Sequence, residues 1–434
     1  MNITLMHLSL VRSSISPFIS KYSNLNIQNS LYSRFTSPLI FNAKSAFLNK
    51  INFRQGLSSV IHVNNRDLVI PSSQPYSNTN STQENTFVIK KCIFESITNK
   101  DAQISVIYIV SSTNEYGSLQ ISSSTFHNCL SRTTGAVYAK IREFSVEKSC
   151  FNGCAAYYCS FISAQTRTTG FNQINLSTIT RGTIPSDTTS TKSKTLILQD
   201  GYQNLQELNY SGNAHYEGLV DICHVQTITT SSLKICRSTL NSNYDGSLLV
   251  ILGQCGFRNF YDINFINNEV YQLIVFNYEI TLSNCIFYSN NDTRIAYRYD
   301  EEGSDTYYTS ITFVNCVADQ KTTESPYDII LKDLKLAKKF SFAEHRMLNT
   351  YLCIGQNPKV GFIPILVIVI VILSLAALVT YYIYFRLKND PEISKKCSQI
   401  FLRMKSSFSK LGKKRRPEYE DGLADIQVER TIDE

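Results

Sequence analysis

Tryptophan is absent and histidine is scarce: among 434 residues there are no Trp, four Met and six His. None of His7, His62, His127, His215, His224 or His345 is paired with a nucleophile motif, so the usual signature of Ser–His or Cys–His catalysis is missing. A glycine-rich phosphate loop is missing as well. Cys150, Cys154 and Cys159 are spaced C-x3-C-x4-C without the matching half of a zinc site, which suits disulfides or stacked thiols better than a metal. No cofactor or metal is expected. Nor is there a basic surface for nucleic acid, although the formal charge is +7. From Arg386 to Arg416 eleven bases face only Asp390 and Glu392, a local +9, and the rest of the chain therefore sums to −2.

Charge is also missing, over 25 consecutive positions, from Gly361 to Phe385, GFIPILVIVIVILSLAALVTYYIYF. At about 1.5 Å per residue such a helix reaches roughly 38 Å, more than the roughly 30 Å of bilayer hydrocarbon, so one membrane span is expected here. Lys359 is the single base in the ten residues before it, whereas the basic run follows at once. That asymmetry places the N-terminus outside the plasma membrane and the C-terminus in the cytoplasm, with Tyr381, Tyr382, Tyr384 and Phe385 at the inner interface. Of twelve cysteines only Cys397 follows the span, and eleven thiols in an oxidising space are expected mostly to pair. Glycosylation candidates Asn80, Asn175, Asn209 and Asn291, with a further sequon at Asn2, all precede the span. Met1–Val11 is apolar but interrupted and lacks a basic start, a weak signal-like opening to an N-terminal segment 1–86 that shows no clear period.

What is present is Asn, Ser, Thr, Tyr and Ile, a composition of strands and polar turns. After the polar stretch Pro71–Thr86 a phrase recurs: FESI at Phe94, FHNC at Phe126, FNGC at Phe151, LNSN at Leu240, FINN at Phe265, FYSN at Phe287 and FVNC at Phe313. Alternating runs precede each one. The shortest steps are 22 to 26 residues, and the step of 89 between Phe151 and Leu240 would hold three further units plus the polar insertion Thr183–Thr195. This period predicts an all-β solenoid, a parallel β-helix over 87–320, with a β-sandwich as the alternative. Equivalent side chains then stack about 4.8 Å apart. The phenylalanines would form a core column, and Asn243, Asn268 and Asn290 a ladder of amides. Cys129 and Cys154 hold one place a coil apart, within reach of a disulfide. Residues 321–360 read as a helix or cap and a juxtamembrane stalk, and 386–434 as a basic then acidic tail.

The F-x-x-N phrases, with TTGAVYA at Thr133–Ala139, resemble the F-x-x-N and G-G-A-[ILV] motifs of the polymorphic membrane protein family of bacterial surface adhesins. The single-span layout is similar to large families of surface proteins in parabasalid protists. The resemblance covers roughly Phe87–Gln320; only FINN and FYSN are complete, and Cys replaces Asn in three units. It implies a right-handed β-helix and a role in adhesion.

In the tail, Ile393, Cys397, Ile400, Phe401, Met404, Phe408 and Leu411 recur at helical spacing, and Lys413, Lys414, Arg415 and Arg416 extend the basic face. At about 1 kcal/mol per base, this segment should lie on anionic lipids of the inner leaflet. The first functional reading is a cell-surface protein, not an enzyme, that recognises an extracellular glycan or protein. One alternative is a membrane-tethered polysaccharide lyase or hydrolase using Asp300, Glu301, Glu302 and Asp305 beside Arg294 and Arg298. Another is a structural coat protein with no dedicated ligand.

Overall fold

The computed structural model describes residues 2–64 except 15–17 and 20–23, and residues 86–337 except 100–104, 111–116, 167–168, 183–193, 214–220, 227–231, 237, 242, 244–246, 253–256, 277–278, 291–293, 299–309, 320–328 and 332–333; beyond these it describes Cys353 and short stretches between 374 and 399. The chain divides into two units, Met1–Gln356 and Asn357–Glu434.

The first unit is all-β and every strand pair is parallel. Sheet one has 13 strands, from Asn2–Met6 to Ile329–Leu331; sheet two has 13, from Ser9–Val11 to Leu334–Leu336; sheet three has 11, from Phe18–Ile19 to Arg294–Arg298. Each of the first eleven coils contributes one strand to each of these sheets in turn, and among the described residues the last two extend sheets one and two alone; each coil pairs with its neighbours in the stack. A β-sandwich requires antiparallel neighbours, so that alternative is excluded. Strand identity follows from alternation: in Asn24–Gln28 and Thr86–Lys90 the second and fourth side chains point in, and the others face out. Three-residue strands of sheet two are bracketed by left-handed residues: Lys91 and Ser96 around Ile93–Glu95, Ser123 and Asn128 around Thr125–His127, Asn284 and Ser289 around Ile286–Tyr288, all with φ between 49° and 55°. Their N–H groups keep the ladder going round the corner: Ser123 N–H donates to Glu147 O at 3.0 Å and Asn128 N–H to Asn152 O at 3.0 Å.

Columns run through the interior. In sheet two the residues Tyr32, Phe53, Phe94, Phe126, Phe151, Ile179, Tyr210, Leu240, Phe265, Phe287 and Ala318 lie in register. Ring centroids are 4.4 Å apart between Phe94 and Phe126, 4.7 Å between Phe126 and Phe151 and 4.9 Å between Phe265 and Phe287. The 89-residue gap holds two further units, marked by Ile179 and Tyr210, and not the three expected. A β-branched residue and a phenol fill a Phe place there, which hid both from a search for Phe. Phe313 is not in this column. It pairs with Leu282 in sheet one and meets Phe287 edge-on, while Ala318 takes the expected place.

Two polar ladders flank the column. Three residues after it, Asn213, Asn243, Asn268 and Asn290 are buried, and each amide is bonded to the next: Asn213 Nδ2 to Asn243 Oδ1 at 3.2 Å, Asn243 Nδ2 to Asn268 Oδ1 at 2.9 Å and Asn268 Nδ2 to Asn290 Oδ1 at 3.0 Å. Each also donates to the carbonyl of the column residue one coil back, as Asn290 does to Phe265 O at 2.9 Å. The expected ladder is present and extends back to Asn213, whose Oδ1 accepts from Gly182 N–H at 2.8 Å. Two residues before the column lie Ser30, Cys92, Ser124, Ser149, Ser177, Ser238, Cys285 and Cys316. There Ser149 Oγ donates to Glu147 O at 2.9 Å and accepts from Ser124 N–H at 3.2 Å.

Several sequence expectations change. Among the described residues the solenoid strands start at Asn2, not at 87: Asn2–Met6 and Ser9–Val11 belong to the first coil, and 24–64 supply two more. The repeat is hidden there because Tyr32 and Phe53 are followed three residues later by Phe35 and Gly56; the Phe35 ring fills the space where Gly56 lacks a side chain. The helix or cap expected in 321–360 contains instead the strands Ile329–Leu331 and Leu334–Leu336, which add a last pair to sheets one and two. In the second unit residues 374–378 are helical; among the described residues no helix is long and apolar enough to cross a membrane, and 361–373 lie outside them.

Candidate functional site

The cysteines were expected to pair, and most of those described do not: Cys92, Cys129, Cys154, Cys159, Cys285 and Cys316 are buried free thiols. The reason is chemical substitution within the ladders. Cys129 and Cys154 occupy the Asn place and stack as expected, but the bond between them is not formed. Cys129 Sγ lies 3.7 Å from Phe94 O, and Cys154 Sγ lies 3.9 Å from Phe126 O, the same backward contact the asparagines make. Burial pushes the Cys129 thiol well above its ordinary pKa, and the neighbouring Cys154 adds to this. Cys285 and Cys316 stand in the serine place; Cys285 N–H donates to Cys316 Sγ at 3.4 Å. Burial also raises Cys92 and Cys159 to about 12. Burial holds the Cys92, Cys129 and Cys159 thiols neutral, and all six are sheltered from reagents. The one disulfide among the described residues joins Cys150 to Cys353, Cα atoms 5.3 Å apart and 203 residues apart in sequence. It ties the chain beyond the last coil to the middle of sheet two, a pairing no spacing rule could supply.

Outward columns carry the surface chemistry. On sheet three the rings of Phe41, His62, Tyr108 and Tyr138 stack along the solenoid at 5.3, 5.1 and 5.2 Å. In register with them, the next coil supplies Ser163. A hydroxymethyl thus stands where four coils have placed a ring, and a cleft of about 270 Å³ opens at this step. Tyr138 and Ser163 form its floor together with a parallel row, Lys140, Gln165 and Gln199, from three successive coils. Thr133 and Tyr158 line it from the segments entering those strands. The Lys140 ammonium is 5.9 Å from the centre of the Tyr138 ring. Burial raises the Tyr158 phenol above its ordinary pKa, with Cys159 and Tyr138 adding to it, so it stays a neutral hydroxyl.

The row is braced from beneath. Gln165 Nε2 donates to Asp200 Oδ2 at 3.3 Å. The Asp200 carbonyl accepts from Thr166 Oγ1 and from Asn172 Nδ2, both at 3.0 Å. Asp200 itself is left-handed, φ 60°, at the corner into sheet one. Gly135, in the TTGAVYA phrase, sits just before the strand bearing Tyr138 and Lys140. A side chain there would run into the Ser160 carbonyl of the next coil, so the closely stacked corner beside the cleft requires glycine.

The sequence-predicted positions are distributed differently. Asn175 ends a strand of sheet one and Asn209 begins one of sheet two, both half-buried. The sequon hydroxyl of the first, Ser177, is itself buried and committed to Asn175 O at 2.8 Å. Asn80, Asn291, the acidic group Asp300, Glu301, Glu302 and Asp305, and the basic cluster Lys413, Lys414, Arg415 and Arg416 lie outside the described residues. Arg294 and Arg298 bound one strand of sheet three. No group of metal-ligating side chains occurs among the described residues. Thr133 and Tyr138 fall within the TTGAVYA phrase, whereas Lys140, Tyr158, Ser163, Gln165 and Gln199 carry no motif that the sequence could show. No family model, curated protein or solved structure matches this chain.

Proposed function

We propose that the protein is a single-pass, type I cell-surface recognition protein whose right-handed β-solenoid works outside the membrane on a glycan or protein ligand. The observation that carries the reading is the 25-residue charge-free run followed in sequence by eleven bases between Arg386 and Arg416, in a chain whose first unit is built of stacked coils with polar outward columns. The helical residues near its end add support: Leu375, Leu378, Tyr381 and Tyr382 are 57–66% exposed, an apolar surface suited to lipid. Thr380 Oγ1 donates to Ala376 O at 2.7 Å, which satisfies a hydroxyl without water. The resemblance to F-x-x-N surface proteins points the same way, and the basic cluster at 413–416 would rest on anionic inner-leaflet lipids.

The test is protease added to intact cells expressing the full chain with a tag at each end, alongside a cell-binding assay. Removal of the N-terminal tag with the C-terminal tag protected, and adhesion that disappears with the solenoid, supports the reading. Protection of the solenoid reverses the orientation and rejects it.

A further inference from the structure

We propose that the cleft at the broken step of the aromatic column binds one pyranose ring bearing a carboxylate, packed between Tyr138 and Tyr158 above Ser163. The inference rests on the recognition reading in taking a glycan as ligand.

Size comes first. About 270 Å³ lies just under the roughly 300 Å³ at which clefts begin to hold drug-sized molecules, so the space suits a single six-membered ring. Shape follows from the register: four rings recur one coil apart, and the fifth place is held by Ser163. A flat apolar body entering there continues the stacking that the chain stops supplying. A pyranose has such a body in its axial C–H face, and a ring edged with hydroxyls needs polar partners round its rim. Gln165 and Gln199 offer amides with donor and acceptor on one scaffold, and Tyr158 offers a neutral phenol.

Charge selects among sugars. Lys140 lies in the cleft, and Lys194 starts the strand that carries Gln199. The nearby acid, Asp200, is 9% exposed, is not among the cleft-lining residues, and has Oδ2 engaged by Gln165. A carboxylate on the sugar would take the Lys140 ammonium as a charge-assisted partner at the cleft rim.

The test is a titration of the full chain with glucuronate and with glucose, read by ligand-observed NMR, for the parent and three variants. Glucuronate should bind at least tenfold more tightly than glucose, and Lys140→Gln should erase that difference. Tyr138→Leu should weaken both sugars. Ser163→Phe, which restores the missing ring, should abolish binding while the circular dichroism spectrum is retained. No glucuronate signal from the parent, equal affinity for glucose, or undiminished binding by Ser163→Phe overturns the inference. If the cleft is silent in that way while cells still adhere through the solenoid, the recognition reading stands and the ligand site lies elsewhere.

Discussion

Asn243 offers a quantitative test of what holds the coils in register. Its side chain makes four hydrogen bonds inside the solenoid: Oδ1 accepts from Asn213 N–H and Nδ2, each at 3.2 Å, and Nδ2 donates to Tyr210 O at 3.2 Å and to Asn268 Oδ1 at 2.9 Å. Replacement by leucine puts an apolar side chain of comparable reach in this place and removes all four. The buried Asn213 N–H loses this acceptor, and a buried group so deprived costs about 1–3 kcal/mol. The larger side chain recovers some burial but must fit against two close-stacked amides, which costs about as much again. A net loss of about 4 kcal/mol is expected, against a total stability on the order of 5–15 kcal/mol for a domain. Equilibrium urea unfolding of parent and variant measures it, and hydrogen exchange of the amides of Asn213 and Asn243 locates it. The double change Asn243→Leu with Asn268→Leu should cost less than the sum of the two singles by 1 kcal/mol or so, because the second removes a group the first had stranded. A single-variant loss below about 1 kcal/mol would refute the ladder as a source of stability.

Three further outcomes follow from the geometry. Gly135→Ala puts a methyl group against the Ser160 carbonyl and should destabilise by roughly 1–3 kcal/mol or more in the same assay, whereas an exposed Gly→Ala change would be neutral or favourable. Cys150→Ser removes a cross-link closing 203 residues; loop-closure entropy puts the upper bound near 5 kcal/mol, read as the shift in denaturation midpoint, and reductant should reproduce it in the parent. The buried thiols set an alkaline limit. For Cys92 and Cys159 the folded pKa, about 12, lies above the unfolded value, so their contribution is intact below about pH 8.5 and is lost as pH rises towards 12, at up to about 1.4 kcal/mol per pH unit for each. Thiol alkylation at pH 8 should therefore track global unfolding.

Legibility in the sequence was uneven for identifiable reasons. Phe94, Phe126, Phe151, Phe265 and Phe287 announced the column because one residue type kept one place. The same place filled by Tyr32, Ile179 or Tyr210 was invisible, since packing requires only apolar volume, and Phe313 misled because a Phe–x–x–Cys phrase also fits sheet one. The serine ladder was written in plain view as SSTF, KSCF, LSTI and RSTL, yet serine before a strand is too common to stand out without coordinates. Cysteine misled most, being read by compartment as disulfide when two ladders use the thiol as a stand-in for an amide and for a hydroxyl.

By itself the sequence determined the stacking of short strands, the aromatic core, the amide ladder and the location of the charge-free run, because each depends on a residue type recurring at a fixed interval. Only the tertiary structure decided where the coils begin, which cysteines bond, and that a ring column breaks at Ser163 to leave a cleft. Those depend on distances across the stack, between residues separated by one coil or by 203 positions. Sequence spacing sets such distances only after the register of every intervening coil is known.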